Sequence, residues 1–201
     1  YDPRIIWDKG VSMNDKPVAA GKSSFDLIDV EKAFTIMNHK PDSVVLDLAC
    51  GIGKYSIEIA KYIGEKGTVY AVDLWEEGIE ALNQEISMSG IKNVKTITAD
   101  IRNKLPFEDY SIDSCLMATI LHDLSINEQQ KALEEVARVL KDGGILNIIE
   151  FKKIDNGPGP PLHIRMDDSQ VHEVVTPYGF LRVARSYIGE FNYIHKYKKS
   201  A

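Results

Sequence analysis

The sequence predicts an α/β protein whose doubly wound, mostly parallel sheet ends in a C-terminal antiparallel hairpin. Between about residues 44 and 151, short apolar runs of strand length alternate with amphipathic helical patterns. Glycines or prolines stand at most of the boundaries between these segments, where they end helices and form turns. After residue 151 the alternation stops. Alternating strands and helices form right-handed βαβ units, and such units build parallel sheets covered on both faces.

The first half of the chain supplies the first four predicted strands. A helix is predicted over residues 23–40, with Ser23 or Ser24 as its N-cap and Pro41 as its stop. The run "SVVLDLA" (43–49) is continuously apolar except for one Asp, which is typical of a buried parallel strand. The next predicted elements are helix 53–67, strand 68–74, helix 76–90, strand 94–100 and strand 111–119.

The second half begins with the clearest helical pattern, residues 127–144, which is predicted to stop at the glycine pair 143–144. A fifth strand is predicted at 145–151 and a loop at "NGPGPP" (156–161). A helix follows at 165–180, with an Asp-Asp-Ser start. Segments 181–189 and 191–199 are predicted to pair as a hairpin.

The domain organisation predicted from this pattern is simple. Residues 1–22 lack a periodic pattern and are expected to form an N-terminal arm or lid, and residues 23–201 a single domain. Tyr1 and Trp7 are the aromatic residues with which such an arm would close over a ligand.

Composition restricts the class of partner. The 201 residues are 44% apolar and 27% charged, with a formal net charge of −6. That balance argues against nucleic acid as an obligatory partner, because neutralising phosphates requires a surplus of Lys and Arg. It suits a cationic ligand. The basic segment "HKYKKS" (195–200) is interpreted as a solvated terminus.

The cysteines and the hydropathy pattern favour a cytoplasmic location. Cys50 and Cys115 indicate neither a disulfide framework nor a zinc site. No run approaches the 18 or so apolar residues that span a bilayer, and no charged-then-apolar signal segment opens the chain. We therefore expect no membrane span.

The segment "VLDLACGIGKYS" (45–56) places two glycines directly after a buried strand. Three kinds of ligand are candidates for a glycine loop in this chain. A triphosphate is disfavoured at "AAGKSS" (19–24), because Lys16 stands where a P-loop needs Gly and no strand precedes it. A dinucleotide fits imperfectly: Asp73 ends the second strand, but Ser56 occupies the third glycine position of the fingerprint. The third candidate is a nucleoside that carries no phosphate.

Five motifs in order favour that third candidate. Asp47, Gly51 and Gly53 form D-x-x-x-G-x-G; Asp73 and Asp100 end strands two and three; "LPFEDYSIDSCLM" and "VLKDGGILNI" lead into strands four and five. Together they resemble class I S-adenosylmethionine-dependent methyltransferases, especially the small-molecule type that includes quinone-biosynthesis enzymes. The resemblance runs from about residue 24 to the C-terminus and implies a Rossmann-like fold.

The physics of the cofactor agrees with the resemblance. S-adenosylmethionine has no phosphate, so its loop does not need a full anion nest. A strand-end carboxylate can hold its ribose diol through two charge-assisted hydrogen bonds, and we assign this role to Asp73, with Leu74 packing on the adenine. The resemblance further implies that Asp100, with Ile101, accepts from the adenine amino group and that Asp47 helps fix the methionine ammonium. It implies a loop lined by Ala49, Cys50, Gly51 and Gly53, with Ala118 at the end of strand four. Cys50 is interpreted as a small packed residue rather than a redox centre.

The acceptor side is predicted at "MATILHDLS" (117–125). In relatives that methylate amino groups of DNA bases or glutamine, an Asn/Asp-Pro-Pro-aromatic motif stands here, and this chain lacks it. His122 is a candidate base or substrate hydrogen-bonding partner, with Asp123 beside it, because imidazole titrates near neutral pH. The alternative is a structural His that caps a helix or bonds a carbonyl.

No metal site is expected, although His163, Asp167, Asp168 and His172 lie close together in the sequence. Their spacing matches no metal-binding template, and the two aspartates suit a helix N-terminus. The loop "GPGPPLHIRM" (157–166) is predicted to wall the acceptor pocket.

The sequence therefore predicts methyl transfer from S-adenosylmethionine to a small-molecule acceptor. Two alternatives from other classes stay open: a non-catalytic S-adenosylmethionine-binding protein and an NAD(P)-dependent oxidoreductase. No sequence feature identifies the acceptor or distinguishes O-, N-, S- and C-methylation.

Overall fold

The structure is a computed structural model that describes residues 21–155 and 157–200. The predicted arm, with Tyr1 and Trp7, lies outside these residues apart from its last two positions. The α-helices are α1 (Val30–Met37), α2 (Lys54–Ile63), α3 (Glu76–Ser89), α4 (Ile126–Val139) and α5 (Asp168–Val175). The strands are β1 (Val44–Leu48), β2 (Thr68–Asp73), β3 (Val94–Thr98), β4 (Ile112–Ala118), β5 (Leu140–Phe151), β6 (Phe180–Tyr187) and β7 (Asn192–Lys199).

The seven strands form one sheet in the order β3-β2-β1-β4-β5-β7-β6. Strands β1 to β5 pair in parallel, whereas β7 is antiparallel to both β5 and β6. The predicted doubly wound sheet with a C-terminal hairpin is confirmed. Strand order reverses between β1 and β4, and in open α/β sheets ligands bind outside the carboxyl ends of the strands at such a point.

Two apolar layers cover the sheet. Because side chains alternate along a strand, Val45 faces the layer of α1, α2 and α3, and Leu46 faces the layer of α4 and α5. Both side chains are fully buried. This two-sided burial explains why β1 is a continuous apolar run rather than an alternating one.

The helix predicted over 23–40 is divided in two. A 3-10 turn at Phe25–Leu27 precedes α1, whose N-cap is Asp29; its side chain accepts from the Lys32 amide at 3.0 Å. Ser24 stands at the N-cap position of the 3-10 turn but makes no side-chain cap hydrogen bond there, so the prediction of Ser23 or Ser24 as N-cap of one long helix was wrong. Instead, the Ser24 hydroxyl forms a buried 2.9 Å hydrogen bond with that of Tyr55 in α2.

The helix predicted to stop at Gly143–Gly144 ends earlier, at Val139. At this end the Lys199 ammonium donates to the carbonyl oxygens of Ala137 and Leu140 at 2.6 and 2.7 Å, a favourable placement for a cation at a helix C-terminus. The two glycines lie in an irregularity of β5, between the pairs Ile112–Leu140 and Ser114–Ile145.

The C-terminal segments also differ in extent from the prediction. Helix α5 is shorter than predicted, because a 3-10 turn at Thr176–Tyr178 follows it. Its predicted start is confirmed: Asp167 is the N-cap and accepts from the Ser169 and Gln170 amides at 3.0 Å. The segment "HKYKKS" is not a solvated terminus, since residues 195–199 belong to β7 inside the sheet.

Over the part of the chain that the structure describes, no helix has both the length and the apolar character that crossing a membrane requires.

Candidate active site

The loop between β1 and α2 lies at the point where strand order reverses. Ala49, Gly51 and Gly53 all have positive φ, at 58°, 57° and 75°. A Cβ on Gly53 would lie 2.3 Å from Leu82 Cδ1 of α3, whereas one on Gly51 would meet nothing within 4 Å. Packing against α3 therefore requires Gly53, while Gly51 faces open space in which a ligand can approach the backbone.

The carboxylate of Asp73 joins this loop to the end of β2. Its Oδ2 accepts from the Gly51 amide at 2.7 Å, and its Oδ1 accepts from the Trp75 amide at 2.8 Å. A carboxylate has about four acceptor positions. Asp73 is thus held in one orientation by backbone donors and retains capacity for two further hydrogen bonds.

Asp47 lies below the loop and is only 1% exposed. Its Oδ2 accepts a 2.5 Å hydrogen bond from the Ser56 hydroxyl. Burial raises the pKa of Asp47 to about 7; the Ser56 hydrogen bond opposes this rise and the charge of Asp73 adds to it. Asp47 can therefore act on a ligand through its charge, and its protonation state changes near neutral pH.

Asp100 follows β3 and is partly exposed, but its carboxylate already has a partner. Arg102 donates to it from Nη2 at 2.7 Å and from Nε at 2.8 Å. Burial opposes ionisation, yet the Arg102 hydrogen bonds and charge outweigh it and lower the pKa of Asp100. The Ile101 side chain is buried in the core layer of α4 and α5. Only the backbone of Ile101 is therefore a candidate for contact with a ligand.

The remaining predicted cofactor residues lie at the same edge of the sheet. Leu74 is 40% exposed directly after Asp73 and offers apolar surface there. Ala118 ends β4 and is partly buried. Burial raises the pKa of the Cys50 thiol well above its usual range, and the charges of Asp47 and Asp73 add to the effect. A thiol held in its protonated form is a poor nucleophile, in agreement with a packing role for Cys50.

The predicted acceptor side contains a His–carboxylate pair that the sequence did not reveal. His122 Nδ1 lies 2.6 Å from Glu150 Oε2, and the His122 amide donates to Glu150 Oε1 at 3.3 Å. Glu150 belongs to β5 and is fully buried. The imidazole is hydrogen-bonded to a carboxylate rather than to a carbonyl. The sequence signal that was missed is a single carboxylate inside the apolar strand "ILNIIEF".

The surroundings of His122 favour its protonated form. Burial lowers the pKa of this imidazole, but the hydrogen bond and charge of Glu150 outweigh it, and the net direction is upward. Asp123 adds to the rise, since its Oδ1 lies 3.6 Å from His122 Nε2. The pKa of Asp123 is raised in turn, chiefly by burial.

A buried arginine organises the loop between β5 and α5. The Arg165 guanidinium donates to the Pro160 carbonyl at 2.8 Å, and to those of Lys152, Ile154 and Pro158 at 3.1 Å. It also lies 5.7 Å from the ring centre of Phe151, and that ring is 6.1 Å from the His122 ring. The segment predicted to wall the acceptor pocket is therefore anchored beside the His122–Glu150 pair.

The residues considered for a metal site are used in other ways. Asp167 caps α5, Asp168 binds Arg185 and His195, and His163 is exposed. In residues 21–155 and 157–200, no group of three or more His, Cys, Asp or Glu side chains is arranged to hold a metal ion.

Comparison with known proteins decides the family. A family model described as a methyltransferase domain matches residues 39–187. A crystal structure of a SAM-dependent methyltransferase from Aquifex aeolicus superposes with a TM-score of 0.80 at 30% identity, covering 91% of this chain and 94% of that one.

The chain belongs to the class I S-adenosylmethionine-dependent methyltransferases.

Among curated relatives of this methyltransferase, the ubiquinone/menaquinone biosynthesis C-methyltransferase UbiE of Hydrogenovibrio crunogenus is 33% identical over 61% of this chain and 47% of its own length. The demethylmenaquinone methyltransferase of Desulfitobacterium hafniense is 26% identical over 61% of this chain and 48% of its own length. The methyltransferase thus spans about half the length of these relatives. The crystal structure of the [4+2]-cyclase SpnF shares the fold, with a TM-score of 0.72 at 17% identity.

The loop of this methyltransferase suits a cofactor without phosphate. The Cys50, Gly51 and Gly53 amides donate to Val72 O, Asp73 Oδ2 and Cys50 O. These three amides are therefore not available to a pyrophosphate. With Asp47 and Asp73 close by, the loop is a poor anion site and a suitable one for a sulfonium. The cofactor is S-adenosylmethionine.

Proposed function

We propose that this methyltransferase transfers the methyl group of S-adenosylmethionine to a small-molecule acceptor bound beside His122. The observation that carries the proposal is the hydrogen bond from the Gly51 amide to Asp73. It orients a carboxylate at the end of β2 and occupies one backbone donor of the glycine loop, which makes the loop less suited to a phosphate.

Each cofactor residue has a proposed contact. The two free acceptor positions of Asp73 bind the ribose hydroxyls, Leu74 covers the adenine, and Gly51 lets the methionine portion approach the backbone. Asp47 balances the ammonium charge from below. Asp100 accepts from the adenine amino group through the capacity that Arg102 leaves, beside the Ile101 backbone.

In this mechanism the protein aligns the cofactor with the acceptor and excludes water from the site. When bound, S-adenosylmethionine supplies an electrophilic methyl group on a good leaving group. Proximity and in-line alignment can then contribute up to about 7–11 kcal/mol. The site residues Asp73, Gly51 and Ala118 hold the cofactor at the ends of β1, β2 and β4. The loop anchored by Arg165, together with Phe151, shields the acceptor side from solvent.

A small acceptor is supported by the site and by the relatives. Two curated relatives are named as a ubiquinone/menaquinone biosynthesis C-methyltransferase and a demethylmenaquinone methyltransferase. The chain lacks the Asn/Asp-Pro-Pro-aromatic motif, and its net charge is −6. Asp123 and His122 are the proposed contacts for the acceptor.

Two experiments test this function. Calorimetry should show binding of S-adenosylmethionine and S-adenosylhomocysteine and none of NADH; binding of NADH alone would favour an oxidoreductase. Mass spectrometry should then detect S-adenosylhomocysteine formed with a panel of phenols, enols, thiols and amines. Cofactor binding with no turnover above the buffer control would favour the non-catalytic alternative. The buffer control is necessary because this fold also occurs in a protein named as a cyclase rather than a methyltransferase.

For the acceptor side, His122→Ala should lower kcat while the Kd for S-adenosylhomocysteine stays the same. A variant with wild-type turnover would show that His122 is a structural residue.

A further inference from the structure

We propose that Glu150 is a positioning residue that holds His122 as the base for an acceptor whose nucleophilic atom carries a proton, such as a phenol or an enol. This inference rests on the proposed function, because it uses the same acceptor site. It adds a role for Glu150 and a chemical class for the substrate.

The two nitrogens of His122 are in different situations. Nδ1 is hydrogen-bonded to Glu150 Oε2 at 2.6 Å. Nε2 makes no hydrogen bond to any residue in 21–155 or 157–200, and Asp123 Oδ1 lies 3.6 Å from it. In the neutral ring one nitrogen carries the proton and the other accepts. A carboxylate at Nδ1 selects the form with Nδ1–H, which leaves the Nε2 lone pair to accept a proton.

A buried structural histidine in the same protein shows the contrast. His195 in β7 uses both nitrogens: Nδ1 lies 2.8 Å from Tyr197 Oη and Nε2 lies 2.5 Å from Asp168 Oδ1. No lone pair of that ring is left for a substrate. Glu150 contacts His122 at two points, because its Oε1 also accepts from the His122 amide. Glu150 therefore fixes both the backbone and the ring of the residue that it orients.

Position and charge agree with the same role. Glu150 directly precedes Phe151, the last residue of β5, and His122 lies in the 3-10 turn after β4, so the pair lies at the carboxyl edge of adjacent strands. The charged and titratable groups that face the pair are Asp123 from the same turn, Arg165 from the loop before α5, and Tyr193 opposite Glu150 on β7. Lys22 acts on Asp123.

The chemical step balances without any added reagent. His122 Nε2 takes the proton from the acceptor, and the electron pair left on the acceptor forms the bond to the methyl carbon. The carbon–sulfur bond breaks with its pair on sulfur, which becomes a neutral thioether. Glu150 offsets the charge of the imidazolium until the proton passes to water. An amine lone pair would need no base before it attacks, so the pair is suited to protic nucleophiles.

The test measures the His122 ring directly. Proton–nitrogen correlation spectra of the protein bound to S-adenosylhomocysteine, recorded against pH and assigned by the signal missing in His122→Asn, should show Nδ1–H and a bare Nε2. In Glu150→Gln the pKa of His122 should fall. In Glu135→Gln, which alters a carboxylate on α4 hydrogen-bonded to the Leu105 amide and to Arg138, it should not. A proton on Nε2 in the neutral ring, or an unchanged pKa in Glu150→Gln, would overturn the proposal.

Turnover supplies a second readout with a substituted phenol as probe. In Glu150→Gln, kcat should drop about tenfold or more on phenol, which is part of the roughly 100- to 10,000-fold that a general base contributes. It should stay near wild type on a nitrophenol that is already ionised at the assay pH. Equal losses on both probes would indicate a merely structural role. The titration needs no acceptor, so it decides the role of Glu150 separately from whether methyl transfer is found.

Discussion

The hydroxyl of Ser56 donates a 2.5 Å hydrogen bond to the carboxylate of Asp47, and neither side chain reaches solvent. This contact joins the start of α2 to β1 beneath the glycine loop. It is the main compensation for burying an acid, and it is incomplete, because the pKa of Asp47 still rises to about 7.

Asp47→Asn should therefore stabilise the fold at alkaline pH. The pKa of Asp47 is 3.8 in an unfolded chain and about 7 in the fold. Below about pH 4 Asp47 is protonated in both states and its burial costs no ionisation energy. As the pH rises to about 7, the unfolded chain loses this proton first, and the free energy of unfolding falls. Asparagine does not ionise, so the variant should avoid this fall in the free energy of unfolding. The fall is at most about 4 kcal/mol, since one pKa unit corresponds to about 1.36 kcal/mol. Urea unfolding at several pH values measures it, and parallel pH curves for both proteins would contradict the shift.

The same variant should bind the cofactor more weakly. Asparagine keeps the hydrogen bond to Ser56 but cannot carry the charge that we propose balances the methionine ammonium. Calorimetry with S-adenosylhomocysteine at pH 8 should show a higher Kd than in wild type. An equal Kd would remove Asp47 from that role without affecting the stability prediction.

Asp73→Ala should weaken binding of S-adenosylmethionine by about 1.5–3 kcal/mol, the range for hydrogen bonds to charged groups. That corresponds to roughly 10- to 150-fold in Kd. Asp113→Ala is a matched control, because Asp113 also accepts from a backbone amide, that of Val44 at 2.8 Å, but at the opposite end of the sheet. An equal loss of affinity in both variants would mean that the effect reports stability.

Alanine at the two loop glycines should separate packing from ligand binding. Gly53→Ala places a Cβ on a residue with left-handed backbone, which costs roughly 1–2 kcal/mol. Overpacking against Leu82 adds about 1–3 kcal/mol. Gly51→Ala carries only the first of these costs, but it places a methyl group where we propose that the cofactor approaches. Denaturant unfolding should rank Gly53→Ala as less stable, and Gly51→Ala should lose affinity beyond its loss of stability. The reverse ranking would mean that the loop differs from the geometry described.

Arg165→Lys should loosen residues 152–164. Lysine carries one ammonium in place of the planar fork that reaches four carbonyls. Limited proteolysis should cut this segment faster than in wild type, and the charge is unchanged. Arg182→Lys, at an exposed ion pair with Asp168, should leave the cleavage rate unaltered. Equal protection of all three proteins would show that other contacts hold the loop.

The fold was predictable because its signals are local and repeated. The strand β1 is apolar on both faces. Asp47 lies near the end of β1, Asp73 is the last residue of β2, and Asp100 follows β3, all in the same sheet. Carboxyl ends of parallel strands share one edge, so topology alone brings these residues together. Element ends were less predictable. At the end of α4, for example, the Ala137 carbonyl accepts from Lys199, which is remote in sequence and belongs to β7.

Sequence alone suffices for the order of the elements, the family, and the sheet edge at which the predicted cofactor residues gather. Which side chains share protons and charges depends on the tertiary structure. His122 and Glu150 are 28 positions apart in the sequence. Likewise, Arg102 donates to the Asp100 carboxylate and the Ser56 hydroxyl donates to Asp47. Periodicity records which face of an element is apolar, whereas these pairings depend on distances between elements that appear only after the sheet and its loops have packed.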